Sequence, residues 1–200
     1  MTSEAPADAQ AQLIRIGAAL YSERDIAKLC DMILLDAMAL TRADGGTLYL
    51  LKNDTELHFE MMHTISLGIA AGGTTGNPIT QAPIRLRGDG HETAIAAFAA
   101  SARASVNVAD AYEAAGFDFE GARAFDRANG FRTRSVLCVP LLTLNGECIG
   151  VLQLINAREA DANQVLPFTA HAQALVEALA SQAGLPPRGD PSSMLVHCGL

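Results

Sequence analysis

The stretch FDRANGFRTRSVLCVPLLTLNGECIGVLQLINA, Phe125 to Ala157, decides the fold. It reads as a short helix, an exposed basic loop and two strands joined by a tight turn. Val136 to Leu142 and Ile149 to Ile155 are rich in β-branched and aliphatic residues, as half-buried strands are. Asn145-Gly146 lies between them, and both residue types tolerate positive φ, which predicts a hairpin.

Working outward, Leu13, Ile14, Gly17, Leu20 and Tyr21 recur at helical spacing. Ile26, Leu29, Cys30, Ile33, Leu34, Ala37 and Met38 form a second apolar stripe wide enough to bury one helix face. Ser22-x-x-Asp25 between them has the look of a capping box. Asp44-Gly45-Gly46 reads as the end of that helix and a turn. Thr47 to Leu51 and Leu57 to Met62 then read as strands around Lys52-Asn53-Asp54-Thr55. A Gly-, Thr- and Pro-rich loop runs from Ser66 to Ala82, longer than most loops without a function. Short strands are expected at Ile84 to Leu86 and Ser105 to Val108, and helices at Glu92 to Ala102 and within Tyr112 to Asn129. A last helix is expected from about Asn163 to Ala183, with Phe168, Leu175 and Leu179 on its buried stripe. Gly184-Leu-Pro-Pro opposes its continuation. The organisation is therefore a disordered tail (1–10), one domain (11–183) and an irregular C-terminal tail (184–200). The element order predicts an α+β architecture, an antiparallel sheet with helices segregated to its faces.

The chain has 200 residues, enough for one sizeable core, and a formal net charge of −8. That charge disfavours broad binding to nucleic acid or anionic membrane, both of which need a basic face. No apolar run is long enough to span a bilayer. The first residues do not read as a signal peptide, so a cytoplasmic location is expected. Cys30, Cys138, Cys148 and Cys198 form no CxxC pair and read as reduced, mostly buried thiols. Cys138 and Cys148 could face each other across the hairpin, which alone would not make a redox site. The histidines are dispersed, and no metal site is expected.

Five segments together resemble the GAF domain family of small-molecule sensor modules. They are Ala43 to Leu50, Asn107 to Tyr112, Gly130 to Ser135, Val139-Pro140-Leu141 and Gly150 to Asn156. The resemblance is to members that precede cyclases, HD-type phosphohydrolases and cyclic-nucleotide phosphodiesterases. It implies a six-stranded antiparallel sheet, terminal helices on one face, and short helices covering a ligand pocket on the other. In cyclic-nucleotide-binding members, contacts to the ligand come from positions that match His63, Ile95, Ala96, Asp126, Asn129, Thr133 and Gln153. Such members also carry an Asn-Lys pair and an Asp-Glu pair. Here Asn156 is followed by Ala157, and His171-Ala172 stands where Asp-Glu would, so the Lys–Asp bridge cannot form. His63 and Gln153 replace acidic residues. The pattern of cysteines that photoreceptor or sulfoxide-reducing members use is absent.

Each candidate has a plain alternative. Asp118, Glu120 and Asp126 make an acid/base set or cap short helices. Arg132 and Arg134 alternate on an extended segment and point the same way, either to steer an anion or to sit in solvent. Asn107 polarises a ligand or ties down a turn. Tyr112, Phe117 and Phe119 stack on a ring or pack in the core. Three functions follow: a regulatory module binding a small, non-covalent ligand such as a cyclic nucleotide; a ligand-free homodimerisation scaffold; and a small pocket enzyme, for which no catalytic residues can be assembled. A homodimer through the terminal helices is expected of the first two, and no cofactor of any.

Overall fold

The computed structural model describes residues 5–87, 93–159 and 164–183. Helices α1 (Ala5–Ser22) and α2 (Ile26–Thr41) lead into a sheet. Its strands are β1 (Ala43–Lys52), β2 (Glu56–Thr64), β3 (Ile69–Gly72), β4 (Ile84–Arg85), β5 (Val106–Val108), β6 (Val136–Leu142), β7 (Cys148–Arg158) and β8 (Val165–Leu166). Helix α3 (Ile95–Ala102) precedes β5, α4 (Glu120–Asn129) precedes β6, and α5 (Ala170–Ala183) closes the described chain. The spatial order is β3-β2-β1-β7-β6-β5, with β4 added to β2 and β8 to β7, and every pairing is antiparallel. The expected six-stranded core is there, extended by two short strands.

Alternation along the strands sends side chains to two separate cores. Leu48, Leu50, Leu137, Val139, Leu141, Leu152 and Leu154 join residues of α1, α2 and α5 in one cluster. Tyr49, Val136, Cys138 and Val151, their neighbours in sequence, join Ile95, Ala96, Ala99 and Ala100 of α3 in the other. The sheet is therefore a wall with the terminal helices behind it and α3 in front. Pro140 is tolerated within β6 because β5 pairs only as far as Cys138 and leaves that edge free.

Several local expectations are revised. Helix α1 starts at Ala5, so residues 5–10 of the expected tail are helical. The cap of α2 is Asp25 itself, whose carboxylate accepts the Ala27 and Lys28 N–H groups at 2.9 and 3.3 Å. Ser22 ends α1 instead, its hydroxyl donating to Ala19 O. The α2 helix stops at Arg42 in the left-handed region, φ 54°. Asp44-Gly45-Gly46 is thus not a turn but part of β1. A Cβ on Gly46 would lie 2.8 Å from both Gln153 O and Leu34 Cδ1, so glycine here permits close packing. Asn53 and Asp54, at φ 52° and 56°, form the expected turn between β1 and β2. Asn145-Gly146 works differently: only Gly146 has positive φ, with its N–H donating to Thr143 O at 2.9 Å. That is a longer hairpin loop with a bulge, not a two-residue turn. The Ser66 to Ala82 loop contains β3. The last helix begins at Ala170, and Phe168 packs ahead of it. The 184–200 tail and Cys198 lie outside the described residues.

Candidate functional site

The front face of the sheet carries an unusual transverse row. Thr47 of β1 pairs with Gln153 of β7, and Gln153 pairs with Cys138 of β6. Residues directly opposite in antiparallel strands project to the same side. Three side chains with hydrogen-bonding groups therefore cross the middle of this face, and Thr47 also bonds the neighbouring Tyr49 side chain. The Cys138 thiol lies 3.5 Å from Gln153 Oε1 and is fully buried, and burial pushes its pKa up. Gln153 and Ile155 remain half-exposed although β7 is flanked on both sides. On the back face, Leu152 and Leu154 are fully buried. The front face is incompletely covered at its centre.

Helix α3 stands over this face. Ile95 and Ala96, its first two residues, are buried against the same cluster as Cys138 and Val151. No side chain caps the helix start. Phe119, Phe117 and Phe98 add an aromatic group beside it, with centroids 6.3 and 5.3 Å apart and edge-to-face geometry.

A second constellation surrounds α4. Asp126 is the helix's one buried residue. Its carboxylate accepts the Thr133 N–H at 2.7 Å, the Thr133 hydroxyl at 2.9 Å and the Tyr112 hydroxyl at 2.9 Å. Three charge-assisted bonds make this buried carboxylate a brace. Burial and that bond to Asp126 raise the Tyr112 pKa. The guanidiniums of Arg132 and Arg123 lie 4.3 and 5.0 Å from the Tyr112 ring centroid. Arg132 and Arg134 do point the same way, and both bridge Asp110 at 3.2 and 3.4 Å. Desolvation pushes the Asp110 carboxyl up, but the Tyr112 N–H and the two guanidiniums outweigh it and hold the pKa below the ordinary carboxylate range. Asn156, at φ 57°, accepts the Arg134 N–H at 2.7 Å and donates to Arg132 O at 2.8 Å. It clamps the basic segment from the opposite side.

The eight residues singled out by sequence therefore separate. Ile95, Ala96 and Gln153 share the front face. Asp126 and Thr133 bond to each other beside it. Asn129 is exposed, and its amide donates to Phe125 O at 2.8 Å, closing the end of α4. His63 is opposite Gly46, whose Cβ position points at Leu34 of α2, so His63 lies on the back face. Its half-buried ring has an unpaired Nδ1. Asn107 also lies at the back, opposite Leu137, donating to Phe168 O and Gln173 Oε1 at 3.1 Å each. It ties the sheet edge to α5 rather than to the turn that follows it. Thr47 and Cys138 are not among the sequence candidates: a lone Thr or Cys in an apolar run gives no signal until register aligns it with Gln153. Cys138 is opposite Gln153 and Cys148 opposite Leu142, so the two thiols do not meet across the hairpin.

An open cleft behind the sheet edge is lined by Arg103, Ser105, Pro140, Leu144, Glu177 and Ser181, none of them among those candidates. Among the described residues no three His, Cys, Asp or Glu side chains gather as a metal site. No described helix is long and apolar enough to cross a membrane.

Comparison with known proteins agrees with this architecture. The GAF domain of a Coxiella burnetii phosphoenolpyruvate-protein phosphotransferase superposes with a TM-score of 0.65 at 13% identity, over 91% of this chain and 93% of that one. The corresponding Acinetobacter domain gives 0.63 at 16% identity, over 92% of each chain. At these identities the likeness is one of fold. In sequence, 135 residues are 30% identical to a cGMP-specific 3',5'-cyclic phosphodiesterase of Drosophila pseudoobscura pseudoobscura, covering 68% of this chain and 12% of that protein. The match thus spans a small part of that relative. The GAF domain model matches residues 25–185, and the chain belongs to the GAF domain family.

Proposed function

We propose that this domain binds a small molecule on the front of its sheet and acts as a sensory, regulatory module. The observation that carries this reading is the Thr47–Gln153–Cys138 row, with Gln153 half-exposed at the centre of the sheet. An amide offers both a donor and an acceptor to a planar polar ligand. Apolar residues surround it, the usual composition of a small-molecule site. A cyclic nucleotide is the first candidate, because the relatives in sequence are named as cGMP-specific phosphodiesterases. Ile95, Ala96, Thr133 and Asp126 would border such a ligand, while His63, Asn107 and Asn129 would act from outside the site. The proposal assigns the domain no catalysis of its own; any turnover belongs to an output domain or partner. We further propose a cytoplasmic setting without nucleic-acid or membrane partners, and a homodimer through the terminal helices, where Ile14 is 67% and Leu35 40% exposed.

A second reading is a ligand-free dimerisation scaffold. Phe117 and Phe119 favour it, because they already occupy part of the space in front of the sheet. Met61 packs with the back cluster, whereas Met62, opposite Thr47, projects to the front. Thermal denaturation with cGMP and cAMP separates the readings. A ligand at one hundred times its Kd stabilises by about 2.7 kcal/mol. A shift abolished by Gln153→Leu supports the sensor; indifference to both nucleotides, with a dimer that persists, supports the scaffold.

A further inference from the structure

Between Asp110 and Arg134 the chain leaves the sheet after β5 and returns to it before β6. The two ends of this excursion are fastened to each other. Ala111 N–H donates to Arg134 O at 2.8 Å. Asp110 bridges Arg132 and Arg134. Asp126, from the middle of the excursion, reaches Tyr112 near its start and Thr133 near its end. This fastening is polar, and Asn156 of β7 adds to it from outside the excursion by accepting the Arg134 N–H and donating to Arg132 O.

The far end is held in a different way. Phe119 is buried in the front cluster, and Phe117 meets Phe98 of α3 edge to face at 5.3 Å. A short parallel bridge between Ala94 and Asp118, with Asp118 N–H donating to Thr93 O at 2.8 Å, accompanies them. Helix α4 adds little apolar anchoring of its own, since only Asp126 on it is buried. Separating the far end exposes two aromatic rings but breaks none of the bonds at the base. Charge-assisted bonds to a buried carboxylate are costly to break. The base therefore outlasts the tip.

We propose that Asp110 to Arg134 is a flap that opens at its Phe117–Phe119 tip while Asp126 keeps its base closed. In the closed state its aromatic tip covers the front of the sheet beside α3. Its use as a gate rests on the ligand site proposed above; its existence does not.

Hydrogen exchange of the intact chain, without ligand, tests the flap separately from the site. Phe98→Ala removes the tip contact from the α3 side at a residue already 44% exposed. It is expected to speed exchange at residues 113–123 about fivefold, with residues 132–135 and strands β6 and β7 unchanged. Asp126→Asn is expected to speed exchange throughout residues 112–133. Tyr112→Phe, which deletes one bond at the base, gives a milder version if Asp126→Asn does not fold. Phe98→Ala without effect on residues 113–123, or with equal acceleration in β6 and β7, overturns the flap. Unchanged exchange at residues 130–135 in both base variants overturns the role of Asp126.

Discussion

The two faces of the sheet are built from the same strands yet hold different chemistry. Behind, Leu48, Leu50, Leu137, Leu152 and Leu154 meet α2 and α5, with α1 packed on those two helices, and the strand residues are nearly all sealed from water. In front, Thr47, Gln153 and Cys138 interrupt the apolar pattern, one short helix packs directly, and Gln153 and Ile155 stay half-exposed. Adjacent residues such as Leu152 and Gln153 thus belong to different tasks. The back face carries most of the stability, and the front face has been left polar and incompletely filled at a position where an aliphatic residue would pack better.

The largest effect expected from this division is at the back. Leu152→Ala should lower unfolding free energy by about 3 kcal/mol in a denaturant titration, through lost burial and a cavity. A loss below about 1 kcal/mol would break the comparison. Asp126→Ala should cost about 2 kcal/mol by leaving the Thr133 and Tyr112 donors without their acceptor. The acid limb of stability sharpens the contrast further. Asp110 has a depressed pKa in the folded state, so its contribution is present above the ordinary carboxylate pKa and lost as pH falls through the folded value. Wild-type protein should lose more stability than Asp110→Asn as pH falls from about 6 to about 3, measured by thermal unfolding. The smallest effect is at the front. Gln153→Leu should change stability by less than about 1 kcal/mol, or increase it, because an aliphatic side chain suits that surface.

Much of this was legible beforehand, for reasons visible in particular residues. The apolar runs of β6 and β7 and the α2 stripe are periodic, and periodicity survives tertiary context. Asn53-Asp54 marks its turn correctly because both residues adopt the left-handed region they favour. Gly45-Gly46 misleads because glycine serves two needs, a free φ and a missing Cβ, and the sequence does not say which. The α5 boundary slips because Phe168 fits the helical stripe while its role is to pack just ahead of the helix. For the site, resemblance names Gln153, Ile95, Ala96 and His63 as candidates, but neither it nor the separate reading of Asn107 fixes which face of the sheet each occupies. That depends on register, and a shift of one residue exchanges the faces. The β-bulge between Leu48 and Tyr49 is such a shift, and it carries no mark in the sequence.

The most direct test is a titration of isotope-labelled domain with cGMP, followed residue by residue in NMR spectra. The account predicts shift changes centred on Thr47, Ile95, Ala96, Cys138 and Gln153, with Leu48, Leu152 and Leu154 little affected. Changes centred on the back face, or none at any front-face residue at saturating nucleotide, would contradict it.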